Sequence, residues 1–242
     1  MRHAGEYLET MPNCLHLRGL VLLPLLSKIK SDDTSQNVKH VGYADDLTGG
    51  GRLRSLRQWF ENVVQYGPAF GYDAEPSKSW LIVKESMYDE AVEIFSDTSV
   101  KITKRGKKHL GAAVGHIDYR EEFLGGLVAD WVQQIEALSI IASHDPQSAY
   151  TAFTKCIRHR YTYFMRTIPN ISQLLKPLED AIRHKLIPAL TEGRFLSDDE
   201  RSLISLPVRL GGLGIINPTQ ISDDEFENSK RMTENLTAAI KI

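Results

Sequence analysis

The chain has 242 residues, 42% of them hydrophobic and 25% charged, with 29 Lys and Arg against 31 Asp and Glu for a formal net charge of −2. These proportions exclude a collagen, a low-complexity disordered chain and a membrane bundle, and the length admits one or two domains that can each bury a core. Only Cys14 and Cys156 are present, far apart in sequence, so a disulfide framework is excluded and a reducing, intracellular setting, cytoplasmic or nuclear, is expected.

Residues 1–37 are the least defined: a mixed polar start, an apolar patch around Leu22, and a solvated loop from Ser31 to Asn37. The apolar run Leu20 to Leu26 is broken by Pro24 and is far shorter than the roughly 20 residues a bilayer requires, so no membrane partner is expected. Glu6 and Glu9 argue against a signal peptide, whose leader is basic. Val38 to Tyr43 predicts a short strand, followed by Ala44-Asp45-Asp46-Leu47-Thr48 and by Gly49, Gly50 and Gly51, which should break it. Leu53, Leu56, Trp59, Phe60, Val63 and Val64 fall at helical spacing, with Gly67-Pro68 as the stop. Ser79 to Val83 predicts a buried strand, and Ser86 with Asp89 a capping-box start for a helix carrying Ala91, Val92 and Phe95. A further strand is predicted over Lys108 to Val114.

Beyond Asp118 helical periodicity takes over, in segments near 120–143, 146–167, 172–191 and 198–205, with connections at Asp145-Pro146 and Pro169-Asn170. The prediction is therefore an α+β chain. Strands with packed helices occupy roughly 38–117, an all-helical region runs from 118 to 216, and a polar tail covers 217–242, of which Ile221 to Ile242 is expected to fray.

The sharpest chemical feature is Val41-Gly42-Tyr43-Ala44-Asp45-Asp46. Neighbouring side chains on a strand point to opposite faces, so adjacent carboxylates act together only near a turn. A carboxylate at a hairpin tip suits Mg²⁺, and paired ions serve phosphoryl or nucleotidyl transfer. A solvated turn is the alternative for such a pair. An ordered set follows it: Gly71-Tyr72, Glu75-Pro76-Ser77-Lys78, His109-Leu110-Gly111, and Leu206-Pro207-Val208-Arg209-Leu210-Gly211-Gly212-Leu213-Gly214.

In this order, the stretch from about 38 to 216 resembles the C-terminal half of the reverse-transcriptase domain of retroelements. Tyr43-Ala44-Asp45-Asp46 matches the hairpin called motif C, and the resemblance implies that Asp45 binds metal with Asp46 in a supporting part. Gly71 to Lys78 is similar to motif D, which would set Lys78 near the incoming triphosphate to neutralise or protonate the leaving pyrophosphate. His109-Leu110-Gly111 resembles the hairpin that grips the primer end. The implied architecture is a partial polymerase palm with a small antiparallel sheet and packed helices, then a helical thumb. The implied partners are an RNA or DNA primer-template and a deoxynucleoside triphosphate.

Each of these residues also has a plainer reading. Lys78 reads equally as a surface lysine beside a strand. Gly211, Gly212 and Gly214 read as the end of a helix and a turn. Trp59, Phe60 and Trp80 read as core. Lys101, Lys104, Arg105, Lys107 and Lys108, adjoining the primer-grip-like motif, form the better nucleic-acid candidate, with Tyr43, His109, Leu110 and Gly111 beside them. A second basic stretch, Lys155, Arg158, Arg160 and Arg166, interleaves with Tyr150, Phe153, Tyr161, Tyr163 and Phe164, aromatics that read as one core face.

The family supplies a further carboxylate from motif A, upstream of motif C and separated from it by a helix. Asp32 and Asp33 are too close to Asp45 for that, since a return through a helix takes about a dozen residues or more. Glu6 and Glu9 lie in no apolar strand. Motif B is not recognisable, Arg18-Gly19-Leu20 being at best a remnant, and the fingers are missing. The expectation is a truncated reverse-transcriptase-like domain of a mobile genetic element, whose ancestral reaction is RNA-directed DNA synthesis. Mg²⁺ binding would be weak or absent, and the isolated chain inactive. The alternative is a non-catalytic nucleic-acid-binding or scaffold protein derived from such a fragment.

Overall fold

The computed structural model describes residues 14–31 and 37–240. The chain is a mixed α+β structure that divides into two compact units, residues 1–104 with 235–242, and residues 105–234. No helix among the described residues is long and apolar enough to cross a membrane.

The first unit begins with α1 (Cys14–Ser31), although the sequence pattern predicts no element there. Its buried residues Leu22, Leu25 and Ile29 lie on one helical stripe, which Pro24, exposed on the other side, obscures in the apolar run. Strands β1 (Lys39–Tyr43) and β2 (Asp46–Gly50) pair antiparallel with Tyr43 opposite Asp46, so the chain reverses through Ala44 and Asp45. The glycines do not break the strand as expected, because Gly49 and Gly50 belong to β2. A Cβ at Gly49 would stand 2.9 Å from the Trp59 ring, so glycine is what allows that indole to lie on the hairpin. Helix α2 (Leu53–Tyr66) buries Leu53, Trp59 and Val63, and its stop at Gly67 runs into a 3₁₀ turn over Gly67–Phe70. Leu22, Leu25, Ile29, Val38, Trp59 and Val63 form the core of this part, with Tyr72 packed against it.

Strand β3 (Trp80–Ile82), helix α3 (Tyr88–Ile94) and strand β4 (Lys101–Thr103) follow. Here alone the described strands depart from the expected antiparallel pairing. The crossover through α3 returns β4 parallel to β3, and the described strands form three separate pairs. The Ser86–Asp89 capping box does not form, since Glu85–Met87 is a 3₁₀ turn and α3 starts at Tyr88 without a side-chain cap. Trp80 is not core: at 41% exposure its ring is covered by the Lys101 ammonium, 5.5 Å from the centroid.

In the second unit the strand predicted over 108–114 is a hairpin, β5 (Gly106–His109) and β6 (Ala112–Gly115), with His109 opposite Ala112. Helix α4 (Ile117–Ala142) buries Leu124, Val128, Trp131, Ile135, Leu138 and Ala142, spaced alternately by four and three. Helix α5 (Pro146–Ala152) opens on the Asp145 carboxylate, which accepts from the Ser148 amide at 3.1 Å, and continues through a π turn into α6 (Arg158–Thr167). Helix α7 (Lys176–Ala181) likewise continues through a π turn, Ile182–Leu186, into α8 (Ile187–Leu190). Pro188, which has no N–H to donate, stands two residues after the second π turn. Helix α9 (Asp198–Ser205) carries a complete capping box between Ser197 and Glu200. The polar stretch expected to fray is helical as α10 (Pro218–Ile240).

The core of this unit centres on Trp131, Phe153, Tyr161, Met165, Leu178 and Leu186. Phe153 and Tyr161 are fully buried in it, in keeping with their reading as a core face. At its margin Arg201 makes a two-pronged ion pair with Glu179, at 2.8 and 2.7 Å, both side chains being buried.

Candidate functional site

The Tyr43–Asp46 box occupies the tip of the β1–β2 hairpin. Tyr43 and both carboxylates are exposed, Tyr43 to 60%. Ala44, the first loop residue, has φ of +53°, a region costing roughly 1 kcal/mol for a residue with a Cβ. Strain of that kind at a loop tip is a pointer to function rather than to stability.

The turn at Gly71 follows the 3₁₀ segment after α2, and the Tyr72 amide donates to the Gly67 carbonyl at 3.0 Å. This fixes Tyr72 against the hairpin core. Its phenol is pushed above its usual range, first by burial and then by the negative charges of Asp46 and Asp45. The negative charge of the tip therefore reaches the Gly71-Tyr72 turn. Lys78 lies exposed at the end of the 3₁₀ turn Pro76–Lys78, its amide donating to the Glu75 carbonyl at 3.1 Å.

The residues expected to touch nucleic acid fall in both units. In the first, the Lys104 ammonium pairs with Glu85 at 2.5 Å, which raises its pKa, and lies over the Tyr88 ring. In the second, Arg105 pairs with Glu122 at 2.5 Å. Both cations thus have a local carboxylate sharing their charge. Lys107 and His109 are partly buried on β5 and Lys108 is exposed between them, as strand alternation requires. The hairpin turns through Leu110 and Gly111, with φ of +46° and +86°, and leaves Leu110 46% exposed. The Tyr163 hydroxyl donates to the Leu110 carbonyl at 2.5 Å. Sequence reading groups Tyr163 with a core face and does not reveal this clamp, because the partner is a backbone atom 53 positions away.

The Leu206–Gly214 motif is a strap over α9. The Leu213 amide donates to the Ile204 carbonyl at 2.9 Å and the Gly214 amide to the Leu206 carbonyl at 2.8 Å. A Cβ at Gly212 would meet the Leu206 carbonyl oxygen at 2.1 Å, so only glycine fits. Tyr150, Arg158 and Arg201 donate to the carbonyls of Leu213, Gly214 and Ile215. The reading of these glycines as a chain turn accounts for their geometry.

The carboxylates weighed as a third metal donor, Glu6, Glu9, Asp32 and Asp33, and the motif-B remnant Arg18-Gly19-Leu20 apart from its backbone, lie outside the described residues. Among the described residues no three His, Cys, Asp or Glu side chains group to hold a metal ion. Asp45 and Asp46 therefore offer Mg²⁺ only part of a ligand set among the described residues. Searches of family models, curated proteins and solved structures found no match to this chain.

Proposed function

We propose that the chain carries the second half of a reverse-transcriptase-like fold: a motif-C hairpin, a motif-D turn, a primer-grip-like hairpin and a helical thumb-like region. The reaction of such a domain is RNA-directed DNA synthesis, the primer 3′-hydroxyl attacking the α-phosphate of a deoxynucleoside triphosphate and pyrophosphate leaving. The observation that carries this reading is the tip of β1–β2. A Tyr-Ala-Asp-Asp box folded at a reversal exposes two carboxylates, whose negative charge reaches Tyr72 of the motif-D-like turn. In this proposal Asp45 and Asp46 share a divalent ion with the triphosphate, and Lys78 meets the leaving pyrophosphate.

The cations Lys107 and Lys108 on the β5–β6 hairpin also suit a second reading, a non-catalytic module that binds nucleic acid. Both readings predict that the 242-residue chain binds an RNA–DNA primer-template with strongly salt-dependent affinity and does not extend the primer in Mg²⁺. Charge reversal at Lys107 and Lys108 should weaken binding and lower the salt slope by roughly 1 for each phosphate that is no longer neutralised. Primer extension with and without Asp45→Ala, run beside filter binding across a salt series, checks this. Template-dependent synthesis abolished by Asp45→Ala would show a complete enzyme in place of half of one. Absence of binding at low salt would overturn both readings.

A further inference from the structure

A second surface in the first unit has the chemistry of a ligand site and lies apart from the carboxylate tip. It is a cleft of about 800 Å³ between the start of α2 and the segment following β3. That volume lies within the range of small-molecule sites, roughly 300 to 1,000 Å³. Strand β2 runs from Asp46 at the tip to Gly50 beside the cleft, a separation of about 13 Å along the strand.

Three cationic side chains line it: Arg52 and Arg54 from the entry to α2, and Lys84 from the opposite wall. All three are exposed, and among the described residues none has an ion-pair partner, whereas Arg57, one turn further along α2, is paired with Asp97 and Glu61. The lining also takes in the opening turn of α2, whose first N–H groups, as at any helix start, have no intrahelical acceptor. Arg52 provides no side-chain cap and the turn contains no acidic residue. The lining also has an apolar floor that includes Leu53, Ile82 and Met87, the thioether suiting the face of an aromatic ring. Glu90 is the one carboxylate in the lining.

From the cleft and its charge pattern we infer a binding site for a nucleoside diphosphate. The phosphates lie against Arg52, Arg54 and Lys84, the base rests on the apolar floor, and Glu90 accepts a hydrogen bond from a sugar hydroxyl. No divalent metal is required, because three cations and a helix end neutralise the phosphates. The site owes nothing to the polymerase reading and stands or falls separately from it.

Calorimetric titration with ADP at low salt, in EDTA, is the test. EDTA removes any contribution from a metal-dependent site at Asp45. ADP is expected to bind more tightly than inorganic pyrophosphate. The double variant Arg52→Glu/Arg54→Glu should weaken binding by about tenfold or more, and Lys84→Ala to a lesser degree. Acidic residues at a helix start favour the helix, so the double variant should remain folded, and Lys84→Ala, outside α2, is an independent check. Lys107→Glu/Lys108→Glu should leave ADP binding unchanged, which separates this site from the nucleic-acid surface. No ADP binding, pyrophosphate binding as tight as ADP, or indifference to the arginine reversals would overturn the inference.

Discussion

The two β-hairpins make the same reversal by opposite means. Both use two-residue loops, Ala44-Asp45 and Leu110-Gly111, and both hold a non-glycine residue at positive φ. Such loops favour Asn-Gly or Asp-Gly, so neither tip is built for turn stability. The first hairpin is anchored through a strand, where Gly49 admits the Trp59 ring against β2 and His40 stacks on that ring with 6.5 Å between centroids. The second is anchored at the turn itself, where Tyr163 holds the Leu110 carbonyl. One hairpin is fixed away from its tip and leaves its carboxylates exposed. The other has its tip fixed to a helix.

The first hairpin is most sensitive at Gly49. Gly49→Val introduces branched carbon where even a Cβ stands 2.9 Å from a buried ring, so the indole must leave His40 or the strand must shift. The expected loss is about 1–3 kcal/mol despite valine's preference for strands, read as a lower denaturant midpoint with unchanged slope. Wild-type stability would mean that Trp59 does not anchor the hairpin.

A smaller effect is expected at the second hairpin. Tyr163→Phe keeps the ring beside Gly111 and removes only the donation to the Leu110 carbonyl, so the loss should be about 0.5–1.5 kcal/mol, towards the lower end because the carbonyl can turn to water. Amide exchange should accelerate at Gly111 and Ala112 more than along α4. Equal acceleration everywhere would indicate a global contribution in place of a clamp on the turn.

How far each hairpin was legible in sequence follows from the range of the forces that make it. Val38 to Tyr43 is a short β-type run followed closely by Asp45 and Asp46, so the first strand and the carboxylates after it can be read locally. The reversal at Ala44 cannot, because the Gly49–Gly51 run is the stronger local turn signal and is overruled by Trp59 ten positions later. The second hairpin reads as one strand in sequence because Leu110 is a poor turn residue, stabilised there from α6. Helix α1 was hidden by a proline on its exposed side, while α9, with its capping box and start both encoded within four residues, was placed at its observed boundaries. In the candidate site, the tip residues were legible. Tyr72's place beside them depends on the turn after α2, and the pairing of Lys104 and Arg105 on carboxylates 19 and 17 positions away.

The finest test addresses whether the first tip and the Tyr72 turn act as one site. Burial and the charges of Asp46 and Asp45 raise the Tyr72 phenol above its ordinary value of 10.0. The folded chain then holds that proton more tightly than the unfolded one. The stability this confers is complete below about pH 10 and is lost as pH rises through the folded value. Asp45→Asn/Asp46→Asn removes the charges and leaves the burial, so the pKa should fall part of the way back and the alkaline loss of stability should diminish. Phenolate absorbance, with Tyr72→Phe to identify the signal, reads the shift directly. An unchanged titration would separate the carboxylates from the tyrosine and remove the main support for the polymerase reading. Mg²⁺ added to the wild-type chain should lower the same pKa if the pair takes up the ion, because a cation at the tip cancels the field that raises it, so this titration reports metal binding without requiring catalysis.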